Sequence, residues 1–292
     1  MYKAIDANKR NTVIIMAVFA AIIGAIGWMI AYFVGDMSIA VYTLIFAAAY
    51  ALIQYFLATK IAVAMTGAKE IQKKDNPRLY TIVENLTITT GMPMPKVYII
   101  DDPAPNAFAT GRDPKHAIVA ATTGLLDMMD DNEVTAVMAH ELSHVRNYDI
   151  RVSMIVFGLV CAIGLLADIG GRVLMRGSGD REGKGQAVGF ILGLAIYILA
   201  PIFAAIAQMA VSRQREYLAD ASAVMITRYP EGMIGALKKL QAGGRPMMRQ
   251  NSATDAMYIS NPLKKGFMNS LFSTHPPLEK RIERLQQSGK TF

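Results

Sequence analysis

The 292-residue chain holds a single cysteine, four histidines and little charge. Cys161 cannot close an intrachain disulfide and sits inside an apolar run. That excludes both a disulfide scaffold and a cysteine-based metal site within one chain. Charged residues make up 18% of the sequence, against about 25% in an average soluble domain. Hydrophobic residues make up 53%, and the mean hydropathy is +0.29. A chain with so little surface charge reads as a membrane protein. The formal charge of +7 does not point to nucleic acid, because the basic residues do not interleave with aromatics in any RNA- or DNA-binding pattern. They cluster beside apolar runs, as lipid and topology signals do. There is no internal repeat and no low-complexity tail.

What the sequence does have is long apolar runs. Residues 12–34, "TVIIMAVFAAIIGAIGWMIAYFV", carry no charge and can cross a hydrocarbon core of about 30 Å as a helix. The run exceeds a signal-peptide core of about 7–15 residues and lacks a small-residue cleavage site, so it reads as a retained anchor. The turn "GDMS" leads into a second uncharged run ending near Thr59. Lys3, Lys9 and Arg10 precede this hairpin, and Lys60, Lys69, Lys73, Lys74 and Arg78 follow it. The positive-inside rule then places the N-terminus and the chain beyond Lys60 in the cytoplasm. Two more apolar runs, 152–167 and 185–212, read as a second hydrophobic hairpin of two further spans, with a shallow or re-entrant hairpin as the alternative. The loop between them, "GRVLMRGSGDREGKGQ", is basic, which runs against the positive-inside tendency. Pro201 is expected to kink the longer run.

Between and after the hairpins the pattern is that of an α+β segment. "NPRLYTIVENLTITTG" places Leu79, Ile82, Val83 and Leu86 on one helical face, with Gly91 and Pro93 as the stop. "KVYII" and "HAIVAAT" are β-branched runs bounded by turn residues and read as strands. "DDNEVTAVMAHELSHVRN" reads as a helix opened by a capping box of Asp130 and Glu133. The expected organisation is an N-terminal transmembrane hairpin (1–59), a first catalytic part (60–151), a second hydrophobic hairpin (152–212) and a second catalytic part (213–292).

Two of the four histidines fall in "VMAHELSHVRNYD". Histidines at i and i+4 share a helix face, so His140 and His144 can converge on one ion. Glu141 between them can reach a water on that ion and serve as general base. The same two histidines could instead be surface residues of an amphipathic helix. A zinc site needs a third protein ligand, and "SRQREYLADASAVM" supplies Glu216 with Asp220 one turn on. Glu216 is the candidate ligand, and Asp220 the candidate acceptor for the far nitrogen of a ligating histidine. Without the histidine motif, those two acids would read as a solvated face paired with Arg213 and Arg215. Two histidines, one glutamate and an open position make a catalytic zinc pattern.

"AHELSH", "SRQREYLAD", the upstream "PNAFATG" and the late "STHPPLEKRI" occur in the order seen in the HtpX family of bacterial membrane zinc metalloproteases, which the chain resembles over nearly its whole length. The wider group takes in the CAAX prenyl proteases. The resemblance implies an integral membrane α-helical protein with a cytoplasmic α+β gluzincin-type metalloprotease domain and one zinc ion per chain. His140, His144 and Glu216 would hold the ion and Glu141 would act as base. It further implies that Asn106, Ala107, Phe108 and Ala109 lie beside the cleft, where an extended substrate could pair with them. His275 would approach the ion and steady the oxyanion, with Arg281 holding an acidic partner. Read from the residues alone, His275 is a helix-start residue and Asp149 a cap after the zinc helix.

The expected activity is zinc endopeptidase action on misfolded or damaged membrane proteins at the cytoplasmic face of the bacterial plasma membrane. Polypeptides and the lipid bilayer are the expected partners. The competing readings are a CAAX-type processing protease, which would carry more spans, and a catalytically idle membrane scaffold with a residual zinc site. A small-molecule transporter would need polar or broken spans at midplane, for which only Asp168 and Pro201 offer a hint.

Overall fold

Two long helices open the chain, α1 (Tyr2–Val34) and α2 (Ser38–Thr66). The computed structural model describes residues 2–159, 161–162, 193–194, 213–243, 245–249, 257–260 and 276–288. Both helices are long and apolar enough to cross a membrane. Gly35, in the left-handed region, turns the chain between them, and the Asp36 carboxylate accepts bonds from the Ser38 amide and hydroxyl. The helices pack closely at Gly27, where a Cβ would fall 2.5 Å from that of Thr43. Small residues at such a crossing let two membrane helices approach. Trp28, Tyr32, Phe46, Leu52 and Phe56 point outward and are more than half exposed, as a lipid-facing surface requires. α2 runs past the expected boundary at Thr59 to Thr66, because nothing before Gly67 breaks the helix. Gly67 ends it with a left-handed cap whose N–H donates to the Val63 carbonyl.

Four strands follow, β1 (Lys69–Glu70), β2 (Lys96–Ile100), β3 (Ala107–Gly111) and β4 (Ala117–Thr122), in the order β1-β2-β4-β3. β2 runs parallel to β4, and both outer pairings are antiparallel. All six residues of β4 are buried, so the strand is covered on both faces and reads as a continuous apolar run. On one face Val97, Ala107, Ala109, Val119 and Ala121 pack against helices. These are α3 (Pro77–Thr90), α5 (Asp131–Arg146), and the later α6 (Arg213–Thr227), α7 (Pro230–Gly243) and α8 (Leu278–Ser288). On the other face Ile100, Phe108, Ile118 and Ala120 meet Ala58 and Ala62 of α2, and Val152, Ile155 and Phe157 of the helical segment 149–159. The sheet is therefore clamped between the helical layer that bears the histidines and, on the other side, α2 with the segment 149–159.

The second hydrophobic hairpin falls outside the described residues, except for 152–159, 161–162 and 193–194. A short helix, α4 (Thr123–Met128), links β4 to α5. The capping box is present. Asp130 accepts from the Glu133 amide, and Glu133 reaches back to the Asp130 amide. The same Glu133 carboxylate receives Lys239 of α7 at 2.6 Å, which ties the start of the histidine helix to its neighbour. Removing the cap as Asp130→Ala should cost about 1 kcal/mol and lower the melting temperature by about 2–4 °C. Thermal unfolding of the detergent-solubilised chain measures this, and an unchanged melting temperature would mean that the cap does not hold the start of α5.

Candidate metal centre

Helical spacing turns His140 and His144 to one side of α5, with their rings nearly perpendicular and their Nε2 atoms 3.2 Å apart. Two nitrogens at about 2.0–2.1 Å from a tetrahedral zinc would be separated by about 3.3 Å, so the pair has the spacing of ligands to one ion. Glu216 enters from α6, its carboxylate oxygens 3.7 Å from His140 Nε2 and 3.4 Å from His144 Nε2. One ligand atom from each of the three residues lies within 4.8 Å of the others. His140 and Glu216 are buried, whereas His144 is partly open to solvent. Two imidazoles and a carboxylate that leave a position free suit zinc in a catalytic setting.

The far side of each imidazole is also occupied. His140 Nδ1 lies 2.9 Å from Asp220 Oδ1. Arg281 of α8, fully buried, grips both oxygens of the same carboxylate at 2.6 and 2.8 Å. Burial pushes the Asp220 carboxyl up, but the Arg281 guanidinium outweighs it and brings the group down to about 2. Arg281 also stands 3.5 Å from Glu216 Oε2, and it feels the charge of Glu141, which is itself 3% exposed. The acidic partner that the resemblance assigned to Arg281 is thus Asp220, in the spatial order Arg281, Asp220, His140. His275 lies outside the described residues.

The sequence reading of Asp149 needs correction. Asn147, not Asp149, caps α5. Tyr148 then adopts a left-handed conformation at φ 61, and the turn folds Asp149 back so that its Oδ2 lies 3.0 Å from His144 Nδ1. Nothing in the sequence marks that turn, since left-handed backbone is normally signalled by glycine or asparagine. Arg215, expected beside Glu216 on a solvated face, instead approaches Asp149 Oδ1 at 3.4 Å. The solvated-face reading of Glu216 and Asp220 does not fit, since each is 2% exposed.

The edge of β3 also differs from expectation. Residues 257–260 of the same chain run along it: Ile259 N–H donates to the Ala107 carbonyl and Tyr258 bridges Phe108. The Asn106 side chain is committed to Ser260, donating to its carbonyl and accepting from its amide. Asn106 through Ala109 are all buried. Pairing with an extended substrate at Ala107 and Phe108 would require this segment to leave.

The profile of Peptidase family M48 matches residues 73–288. A protein named "Protease HtpX homolog" from Tropheryma whipplei (strain Twist) is 54% identical over 292 residues, covering both chains in full. Another of that name, from Ligilactobacillus salivarius (strain UCC118), is 44% identical over 296 residues, covering 98% of this chain and 99% of that protein. Among solved structures, S. mikatae Ste24p is similar in fold, with a TM-score of 0.52 and 19% identity. The match covers 98% of this chain and 67% of Ste24p.

The charge around His144 sets a pH dependence. Burial draws its imidazole pKa down, but the Asp149 hydrogen bond and the Glu216 carboxylate outweigh this and hold it well above the ordinary value. Ligation at Nε2 must displace a proton held there, and Asp149 and Glu216 favour that protonated form. As pH falls the imidazole is protonated in a larger fraction of molecules and the proton competes more with the ion, so zinc affinity should rise with pH, by up to about tenfold per unit. Calorimetric titration of the metal-free chain with zinc, in two buffers of different ionisation enthalpy, should show net proton release on binding. Binding with no proton release would contradict this charge state.

Proposed function

The chain belongs to peptidase family M48, and we propose that it is a membrane-embedded zinc endopeptidase that cleaves misfolded or damaged membrane proteins at the cytoplasmic face. The observation that carries this reading is the convergence of the His140 and His144 Nε2 atoms, 3.2 Å apart, on the Glu216 carboxylate. These three residues hold the ion, which when bound supplies an acidified water and polarises the scissile carbonyl. Glu141, adjacent to His140 in the chain, accepts a proton on attack and returns it to the leaving amide nitrogen. Asp220 and Asp149 keep the imidazole protons on Nδ1, so that each Nε2 lone pair faces the ion. Arg281 balances the buried Asp220 charge and keeps the carboxylate from drifting toward the ligand position.

The membrane substrate is supported by how closely the site is tied to the spans. β1 begins at Lys69, three residues after α2 ends at Thr66. The apolar segment 149–159 begins three residues after α5 ends at Arg146. A loop leaving the bilayer thus meets the cleft without a linker to cross. The cytoplasmic side is supported by the basic residues that flank the first hairpin, Lys3, Lys9 and Arg10 before it and Lys60, Lys69 and Lys73 after it.

The test uses the full chain, stripped of metal in detergent and reloaded with zinc, with casein as an unfolded substrate. Glu141→Gln should retain zinc and lose turnover by about 10²–10⁴-fold, while Glu216→Ala should bind zinc more weakly. Full activity in Glu141→Gln would remove the base from the mechanism. Unchanged zinc affinity in Glu216→Ala would remove that carboxylate from the ligand set.

A further inference from the structure

Asn8 lies in the first turns of α1, beside the charged residues that precede the apolar span, yet it is only 4% exposed. Its amide nitrogen donates twice, to the Asn147 carbonyl at 2.8 Å and to Asp149 Oδ1 at 2.7 Å. These two acceptors bracket Tyr148, the residue held in left-handed backbone. Lys9 lies 5.0 Å above the Tyr148 ring and Arg151 stands 4.9 Å from its centroid, so the turn is gripped from α1 as well as from its own chain. A non-glycine residue in that conformation costs about 1–3 kcal/mol and persists only where its surroundings fix it. Here the surroundings include a membrane helix.

The consequence reaches the metal ligands. Asp149 has two oxygens with different tasks. Oδ1 is held by Asn8 and by Arg215, and Oδ2 faces His144 Nδ1 at 3.0 Å. Fixing one oxygen fixes the rotation of the carboxylate, and so the direction in which the other receives the imidazole N–H. The outer hydrogen bond of a ligating histidine sets ring orientation and tautomer. Arg215 is adjacent to Glu216 in α6, so α6 contributes to both the ligand set and this clamp.

We propose that Asn8 is a positioning residue for the metal centre, acting through Asp149 on His144, so that the first transmembrane helix is a working part of the site as well as an anchor. Asn8 touches none of the three ligand residues; its amide nitrogen donates to Asp149 Oδ1 and its carbonyl oxygen accepts from Arg215, which holds the same Asp149 oxygen, so these contacts lead to His144 through Asp149. Withdrawal of the start of α1 loosens the Tyr148 turn and leaves Asp149 Oδ1 with the longer Arg215 contact at 3.4 Å, so the carboxylate orients the His144 ring less firmly. Detachment from the membrane helix then weakens metal binding while leaving the three ligand residues in place.

This rests on the ligand reading above, and the test keeps the two apart. The full-length chain in lipid nanodiscs is stripped of metal, and its zinc affinity is measured by competition with a chromophoric chelator. Asn8→Ala should lower the affinity on the order of tenfold, the lower end of the range for outer partners of metal ligands. Asn8→Leu fills a similar volume without a donor and should do the same, which preserves the test if the alanine variant does not fold. Thr12→Val is the control. Thr12 lies one turn further along α1, is 4% exposed and has a hydroxyl with no hydrogen-bond partner among the described residues, so its loss should leave zinc affinity unchanged. In an Asp149→Ala background, Asn8→Ala should add less than about twofold, because the route through Asp149 is already cut. Equal losses from Thr12→Val and Asn8→Ala, or additive losses from Asn8 and Asp149, would overturn the proposal. Weakened binding in Glu216→Ala alone would leave the ligand reading standing without it. Unchanged binding in Glu216→Ala would count against the ligand reading itself.

Discussion

The far nitrogen of each histidine is held by a buried carboxylate, and much of the interior exists to keep those two carboxylates in place. Asp220 is fixed by Arg281 from α8, and Asp149 by Arg215 from α6 and Asn8 from α1. Burying a charge without a partner costs several kcal/mol, and each carboxylate here is paired with a guanidinium, Asp220 with Arg281 and Asp149 with Arg215. Among the described residues, four carboxylates (Glu141, Asp149, Glu216 and Asp220) and two guanidiniums (Arg215 and Arg281) surround the two imidazoles. A divalent cation closes that balance. The charge inventory and the spacing of the Nε2 atoms therefore ask for the same occupant.

The network also explains why the chain is built from pieces far apart in sequence. α1, α5, α6 and α8 each bring a residue that touches a ligand or its direct support. The sheet carries none of them, but it sets the distance between the layers. One face receives the helix with the histidines, and the other receives the ends of the membrane helices. The sheet thus sets the spacing between the histidine helix and the apolar helices on its other face. The same arrangement makes the site depend on how the spans are seated.

Much of this could be read from the residues in order. The His140-Glu141-His144 spacing, the capping box at Asp130 and Glu133, the β-branched run of β4 and the two apolar hairpin helices are local patterns, and local patterns follow from the periods of helix and strand. Glu216 and Asp220 were legible as a pair because they too are one helical turn apart. Asp149 was not. Its role depends on a left-handed Tyr148, and tyrosine gives no sign of that conformation. Arg215 pointed the wrong way on paper, since its partner arrives from a turn more than sixty residues upstream. No local signal marks the return of residues 257–260 to the edge of β3.

Sequence alone determined which chemistry the chain could carry: nitrogen and carboxylate ligands at helical spacing, a base between them, and spans long enough for a bilayer. Tertiary structure decided which groups hold those ligands and which surfaces remain available. The difference is one of range. Ligand spacing is fixed by about 1.5 Å of rise per residue within one helix. The partners of Nδ1 are fixed by packing between elements that have no common period, and only the folded chain brings Asn8, Asp149 and His144 into one line.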